Sequence, residues 1–185
     1  RSSDLKQMVT QKGNNTYVVG ITGNFDDAQT AVKKMFNDKE LEAELDAAGY
    51  QFSSANSINI GRLVPQIVYY VYAYASLVRQ GKIKDGQEIN VVVPTGNFGN
   101  ILAAYYAKQM GIPIGKFVCA SNKNKVLFDF FETGKYDRNR EFYVTTSPSM
   151  DILISSNLER MIYRIAGNDA IQCAKFMAAL TKDGE

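Results

Sequence analysis

Blocks of apolar residues, separated by short polar turns, divide the chain into strand-like and helix-like segments. Near-continuous apolar runs at 16–21, 89–94 and 115–121 are typical of strands covered on both faces, and 50–55 is a shorter candidate. Helical periodicity predicts helices over 4–11, 22–36, 37–49, 56–81, 98–111, 123–134, 151–167 and 168–184. Strands that alternate with helices indicate an α/β fold with a layered parallel sheet.

The turn that follows the apolar run INVVVP has the composition of an anion site. Its sequence, PTGNFGN, spans residues 94–100 and leads into a predicted helix. A helix N-terminus leaves its first N–H groups unpaired and carries about half a positive charge, so it suits a phosphate dianion. Gly96 and Gly99 would let the backbone approach the anion and adopt unusual dihedral angles. Asn97 and Asn100 would cap the helix or add side-chain donors.

Two common nucleotide-binding patterns are absent from this turn. It matches neither GxxxxGK[ST] nor GxGxxG, so P-loop and dinucleotide sites are disfavoured. A plain strand-to-helix turn with a capped helix explains the same residues equally well. The residues alone therefore leave an anion site and an ordinary turn as alternatives.

Three further polar loops precede predicted helices. In TGNFDDAQ, two carboxylates would repel a phosphate, so helix capping is the better interpretation. The loop SSANSINIGR (53–62) has more Ser and Asn than one cap requires; Asn56 or Ser57 is the expected cap, and Arg62 could meet an anion. The polar residues of SPSMDILISSNLER (147–160) are interpreted as caps or solvent-facing positions.

The composition narrows the classes of function. A net charge of +2 over 185 residues gives no reason to expect nucleic acid or an anionic membrane as a partner. The chain has no histidine, which excludes Ser-His-Asp and Cys-His catalysis, and its two distant cysteines do not suggest a metal site. The longest apolar stretch, residues 63–78, is too polar for a membrane span, and a reducing cytoplasm is the expected location.

Four segments together resemble the threonine synthase family of pyridoxal-phosphate lyases. They are GNFDDAQ (23–29), SANSIN (54–59), PTGNFGN (94–100) and SPSMDILISSNLER (147–160), which follow the family's order along the chain. The resemblance implies fold type II, the tryptophan-synthase-β-like α/β fold. It also implies an internal part of a longer protein, which agrees with a first residue other than Met and an end at TKDGE where the fold is not visibly complete.

The resemblance also implies a reaction and a cofactor. The family converts O-phosphohomoserine and water to threonine and phosphate, the last step of threonine biosynthesis, with pyridoxal phosphate as the cofactor. Its cofactor phosphate is held by a Gly/Asn-rich loop at a helix N-terminus. That role is carried onto Gly96, Asn97, Phe98, Gly99 and Asn100 of this sequence.

Residues on the substrate side of the family's site have matches here as well. Asn56, Ser57, Asn59 and Arg62 fall in a family segment that approaches the substrate. The resemblance implies that some of them bind the substrate's carboxylate or phosphate, a role that suits the planar fork of an arginine.

A change in composition near residues 50–60 marks a domain boundary. Charged residues are dense before it, and aromatic residues are frequent after it. In the fold that the resemblance implies, residues 1–50 would be the end of the smaller α/β domain. Residues 51–185 would be part of the larger domain, which binds the cofactor phosphate.

The family's Schiff-base lysine stands in a Phe-Lys-Asp context, and this context does not occur in the sequence. Lys-Asp is found only at residues 84–85 and 182–183, and neither follows a phenylalanine. The lysine, like the C-terminal partner of the cofactor's ring nitrogen, is expected outside this chain. No residue is therefore assigned a catalytic role, and the chain alone is expected to be inactive.

Other functions stay open at this point. Another fold-type II lyase, such as a threonine dehydratase or a cysteine synthase relative, is one alternative to threonine synthase. A non-catalytic anion-binding or interaction domain could have kept the scaffold without the lysine. Because part of a larger domain exposes apolar surface, pairing between copies of the chain also stays open.

Overall fold

The computed structural model describes residues 13–23 and 25–185. The predicted helix at 4–11 lies outside these residues. The chain divides between Phe52 and Ser53 into two compact units. Their assignment to a smaller and a larger domain of the family fold stays a prediction.

The first unit contains two helices, α1 (Phe25–Asn37) and α2 (Lys39–Ala47). Asp38 separates them, because its carboxylate accepts hydrogen bonds from two N–H groups in the first turn of α2 and so caps that helix. The two helices predicted over 22–36 and 37–49 are confirmed, and both begin two or three residues later than predicted.

Residues 17–21, which the apolar pattern predicts as a buried strand, are irregular and exposed in the structure. The side chain of Tyr17 is 85% exposed and that of Val19 is 81% exposed. A strand needs a neighbour for its N–H and C=O groups, and among the described residues no strand pairs with this segment. Residues 50–55 form no strand either, so the strand predictions at 16–21 and 50–55 are wrong for this structure.

The second unit is built around a parallel βαβ arrangement. In chain order it contains α3 (Ile60–Arg79), β1 (Ile89–Pro94), α4 (Gly99–Gln109), β2 (Ile114–Ala120), α5 (Val126–Thr133), a short 3-10 turn at Pro148–Met150, α6 (Leu158–Ile165) and α7 (Ala170–Lys182). Strands β1 and β2 pair in parallel, with Val93 opposite Cys119, and α4 connects them. The predicted α/β class with a parallel sheet is confirmed.

Helix α3 begins where the side chain of Asn59 caps it. Asn59 Oδ1 accepts a hydrogen bond from the N–H of Gly61 at 2.8 Å. The predicted caps, Asn56 and Ser57, lie before the helix, and Asn56 Oδ1 accepts an N–H two residues ahead in a tight turn of its own. The helix predicted from residue 56 is therefore wrong in its first four residues, because Asn56 and Asn59 direct the backbone into turns.

The longest helix, α3, exposes several aromatic side chains, among them Tyr69 and Tyr72. Their hydroxyl groups give this surface a polar component. None of the helices found in residues 13–23 and 25–185 combines the length and the apolar character that crossing a bilayer requires.

Helix α6 begins only at Leu158, so the helix predicted over 151–167 is wrong between residues 151 and 157. These residues hydrogen-bond to distant parts of the chain. The N–H of Asn157 donates to Asn97 O at 3.1 Å, and the N–H of Ser155 donates to the Tyr136 hydroxyl at 2.8 Å. Tertiary hydrogen bonds of this kind replace the helical ones that periodicity predicts.

Helix α4 lies at the centre of the second unit. Its buried residues are Ile101, Leu102, Ala103, Ala104 and Ala107, together with the first glycine of the helix. Leu102 belongs to one hydrophobic cluster with residues of α3, β1, α5 and α6. Burial on most sides holds the helix in one place, and this fixes the position of its N-terminus.

Candidate functional site

The turn between β1 and α4 contains amide groups for which the described part of the chain offers no acceptor. Thr95 N–H still donates to Ala120 O at 2.8 Å, which extends the pairing of the two strands. Beyond it, no described residue accepts a hydrogen bond from the main-chain N–H groups of residues 96–101. No side chain of the described residues caps α4 either. The N–H groups at the positive end of the helix dipole are therefore left without a described partner at residues 96–100, which we call the 96–100 turn, and Gly96, Phe98 and Gly99 of this turn are buried.

Phe98 gives this turn a shape that suits an anion. Its backbone is left-handed, with φ 62° and ψ 2°, and the next residue, Gly99, is already helical. Successive residues of opposite handedness direct their N–H groups into one concavity, which binds anions. A left-handed backbone is costly for a residue with a side chain. Burial of the Phe98 ring, which is 3% exposed and packs against Phe131 with centroids 6.0 Å apart, offsets that cost.

Hydrogen bonds to the carbonyl groups of the turn set the direction of its amides. Gly96 O accepts from the Ser155 hydroxyl, and Asn97 O accepts from Asn157 through both its N–H and its side chain, at 3.1 and 3.0 Å. In a trans peptide the following N–H points opposite to the C=O. The N–H groups of Asn97 and Phe98 therefore point away from residues 155–157, which are called the SSN segment below.

The two glycines of the turn are required by contacts on its protein-facing side. Neither has a positive φ, so the expectation that they supply the unusual dihedral angle is wrong, and Phe98 supplies it instead. A Cβ at Gly96 would lie 2.8 Å from Ser149 O, and a Cβ at Gly99 would lie 2.6 Å from Ser57 Cβ. Glycine at these positions lets two other segments pack directly against the turn.

The asparagine side chains of the turn do not cap α4, contrary to the sequence expectation. Asn100 turns towards α3, where its Oδ1 accepts from the Tyr70 hydroxyl at 2.5 Å and its Nδ2 donates to Gln66 at 3.1 Å. Burial raises the pKa of Tyr70 to about 12, so this hydroxyl stays a donor at neutral pH. Asn97 Oδ1 lies 3.4 Å from the Ser156 hydroxyl. Both polar atoms of the Asn100 side chain are therefore engaged by α3, and its main-chain N–H is left without a described acceptor.

The four residues expected on the substrate side have different surroundings. Ser57 lies against Gly99, as described above, and Asn59 and Asn56 are engaged in the cap and the turn before α3. Arg62 is exposed, and its guanidinium donates to no other described residue. The structure thus brings Ser57 to the 96–100 turn and leaves Arg62 available at the surface.

The sequence interpretation missed the SSN segment, which crosses over the turn and binds it. Asn157 is completely buried, and Ser155 is 6% exposed. The sequence pattern instead predicts both as caps or solvent-facing residues inside a helix. Three consecutive polar residues in an otherwise apolar stretch were the available signal, because buried polar side chains need specific partners.

A second buried polar group, Asp151, supports the loop that packs against Gly96. The carboxylate is 4% exposed and accepts hydrogen bonds from Thr145, Asn122 and Asn124 at 2.7 to 3.1 Å. Burial by itself raises the pKa of Asp151, but these hydrogen bonds outweigh burial and hold the pKa below its ordinary value. The loop that carries Ser149 is thereby tied to the segment after β2.

Asp151→Asn should destabilise the chain by about 1–3 kcal/mol at pH 7, because the new NH₂ group faces N–H and O–H donors. A lowered folded-state pKa means that the carboxylate stabilises the fold above the unfolded pKa of about 3.9 and loses this effect as the pH falls through the folded pKa. The difference between wild type and variant should therefore shrink below about pH 4.

Urea unfolding at pH 7 and at pH 3 measures the loss of stability in Asp151→Asn and its dependence on pH. Asp85→Asn, in an exposed turn, is the matched control and should change neither the free energy of unfolding nor its pH dependence. An Asp151→Asn variant as stable as wild type at pH 7 would contradict the proposed role of the hydrogen bonds.

Sequence and structure comparisons identify relatives of the chain. No family model matches it. Human "Threonine synthase-like 1" is 54% identical over 165 residues, which are 88% of this chain and 22% of that protein. Threonine synthase from Schizosaccharomyces pombe is 42% identical over 170 residues, 86% of this chain and 32% of that protein. The chain therefore spans between a fifth and a third of the length of these two relatives.

A solved structure agrees with these relatives. The crystal structure of PLP-bound threonine synthase from Brucella melitensis superposes with a TM-score of 0.80 at 43% identity. The match covers 97% of this chain and 36% of that protein. Sequence and fold agree over most of the chain, which therefore belongs to the threonine synthase family and has part of the α/β architecture of pyridoxal-phosphate fold type II.

Proposed function

We propose that this chain is the part of a threonine synthase that holds the phosphate of pyridoxal phosphate. The complete enzyme would convert O-phosphohomoserine and water to threonine and phosphate in the cytoplasm. The observation that carries this proposal is the set of N–H groups at the 96–100 turn that find no acceptor in residues 13–23 and 25–185, at the positive end of a buried helix. Relatives named threonine synthase, and the PLP-bound solved structure among them, support the identity of the cofactor.

The residues of the turn fit a phosphate dianion. The donors are main-chain N–H groups, of which those of Asn97 and Phe98 point away from the SSN segment, and the turn itself carries no carboxylate. A left-handed residue followed by a helical one directs these N–H groups towards one point, where they can bind the same anion. A dianion at this point would replace the water that otherwise hydrates the first turn of α4, and it would gain charge-assisted hydrogen bonds.

Pyridoxal phosphate, when bound, supplies an electron sink for chemistry at the substrate's carbon atoms. The residues of this chain bind and orient it. Gly96, Asn97, Phe98, Gly99 and Asn100 contribute N–H groups, and the contacts of Asn100 with α3 keep the first turn of α4 in place. Rigid placement of this kind is what a reacting geometry requires.

Asn56, Ser57, Asn59 and Arg62 remain candidates for the substrate side. Among them Arg62 is best suited to a carboxylate or phosphate, because its guanidinium is exposed and donates to no described residue. Since no Phe-Lys-Asp segment occurs in the 185 residues, the covalent partner of the cofactor would come from outside them. We therefore expect no turnover by this chain alone.

Titration of the ¹⁵N-labelled chain with inorganic phosphate and with pyridoxal phosphate tests the proposal. Both ligands should shift the amide signals of residues 96–100 first. Asn97→Asp places a negative charge at the turn with almost no change in shape, and it should weaken binding roughly tenfold or more.

Asn90→Asp is the matched control, because it adds the same charge at the opposite end of β1, where the side-chain oxygen accepts from Lys116 N–H. It should leave the affinity unchanged. Shifts confined to another surface, or equal effects of the two variants, would overturn the assignment of the turn.

A further inference from the structure

One arginine connects two loops that the proposed function assigns to different ligands. Arg160, in the first turn of α6, directs its guanidinium at three oxygens. It donates to Ser57 O at 3.1 Å, to Ile58 O at 2.8 Å and to the side-chain oxygen of Asn157. Two of these oxygens belong to residues 54–59, which we call the substrate-side loop.

Asn157 completes the connection on the other side. Its Nδ2 donates both to the Ser57 hydroxyl and to Asn97 O, each at 3.0 Å. Its Oδ1 accepts from Arg160, so the orientation of this buried amide is fixed by the guanidinium. Substrate-side loop, SSN segment and 96–100 turn are therefore joined by one chain of hydrogen bonds that begins at Arg160.

The direction of the turn's amides depends on this chain of bonds. Asn97 O is held by Asn157, and that hydrogen bond points the next N–H, that of Phe98, away from the protein. A loosened Asn157 amide would leave Asn97 O with its main-chain bond alone. The turn would then sample other peptide orientations, and its N–H groups would no longer be ordered before an anion arrives.

We propose that Arg160 is a positioning residue for the anion site. It does not bind the anion; it orders the 96–100 turn through Asn157 and holds the substrate-side loop against it through Ser57. The part of this inference that concerns anion affinity rests on the proposed function, whereas the ordering of the turn does not.

Arg160→Lys is the decisive variant, since it keeps the positive charge but cannot direct a planar fork at three oxygens. Loss of one charge-assisted hydrogen bond should weaken binding of inorganic phosphate by roughly tenfold or more, at a temperature where the variant is fully folded. Arg164→Lys, one turn later on the same helix and bonded to Asn168, is the matched control and should leave the affinity unchanged. Amide spectra and melting curves are recorded for both.

Phosphate affinity and amide shifts in Arg160→Lys together decide whether Arg160 orders the 96–100 turn. Wild-type phosphate affinity and unshifted Asn97 and Phe98 amides in Arg160→Lys, with or without a lower melting temperature, overturn the proposal. If wild type binds no phosphate, the proposed function fails, and the two amide signals alone decide whether Arg160 orders the turn.

If Arg160→Lys does not fold, Ser57→Ala takes its place, since it removes only the hydroxyl that Asn157 binds. Unchanged phosphate affinity and unshifted amides in Ser57→Ala would also overturn the proposal.

Discussion

Replacing Gly99 with alanine should abolish phosphate binding at the 96–100 turn and lower the free energy of unfolding by about 1–3 kcal/mol. The new Cβ would lie 2.6 Å from both Cβ and Oγ of Ser57, which is far inside normal contact distance. Ser57 has little freedom to retreat, because Arg160 and Asn157 hold its carbonyl and hydroxyl groups. The turn and the substrate-side loop must therefore separate, and the amide groups lose their common focus.

Gly20→Ala is the control for this substitution, since no atom lies within 4 Å of the Cβ that it adds. Urea unfolding measures stability, and phosphate titration measures affinity. Wild-type affinity in Gly99→Ala would mean that the turn and the loop move independently. Gly99→Asp would add a carboxylate as well as the same clash, so the effect of charge is better measured at Asn97.

Phe98→Ala should destabilise the chain by about 3–5 kcal/mol, because it removes a buried aromatic ring and leaves a cavity. Phe98→Gly should be less destabilising than Phe98→Ala by about 1 kcal/mol, since glycine adopts the left-handed backbone at no steric cost. The ring and the backbone thus make opposite contributions at one residue. The Gly variant should also retain more of the phosphate affinity.

Phe128 provides the matched comparison for the relative stability of the alanine and glycine variants. It lies in α5, half-exposed, in an ordinary helical backbone. There glycine should be worse than alanine by about 1 kcal/mol, the reverse of the order at Phe98. The same order at both positions, measured by urea unfolding, would contradict the left-handed assignment of Phe98.

The sequence was sufficient for features that depend on local patterns. Strands β1 and β2 are near-continuous apolar runs, and α4 has the small and apolar residues of a buried helix. Their order predicts a parallel pair with a turn at the start of α4. The location of the 96–100 turn follows from the same pattern, because strand, short polar turn and helix are adjacent in the chain.

Features that depend on distant partners were not available from local patterns. The SSN segment contacts the turn across about sixty residues of sequence, as the pairing of Asn157 with Asn97 illustrates. Periodicity favours a helix there, and tertiary hydrogen bonds override it. The strand prediction at residues 17–21 is wrong for a related reason. These residues have the composition of a strand, but no described strand lies beside them to accept their hydrogen bonds.

The donors of the 96–100 turn are all main-chain groups, and this determines which experiments can detect them. Truncating a side chain there leaves every N–H in place, so an alanine scan reports mainly on packing. Exchange of a single amide for an ester, by chemical ligation, deletes one donor without changing the side chain. A series of such esters would measure how much each N–H donor of the turn contributes to phosphate affinity.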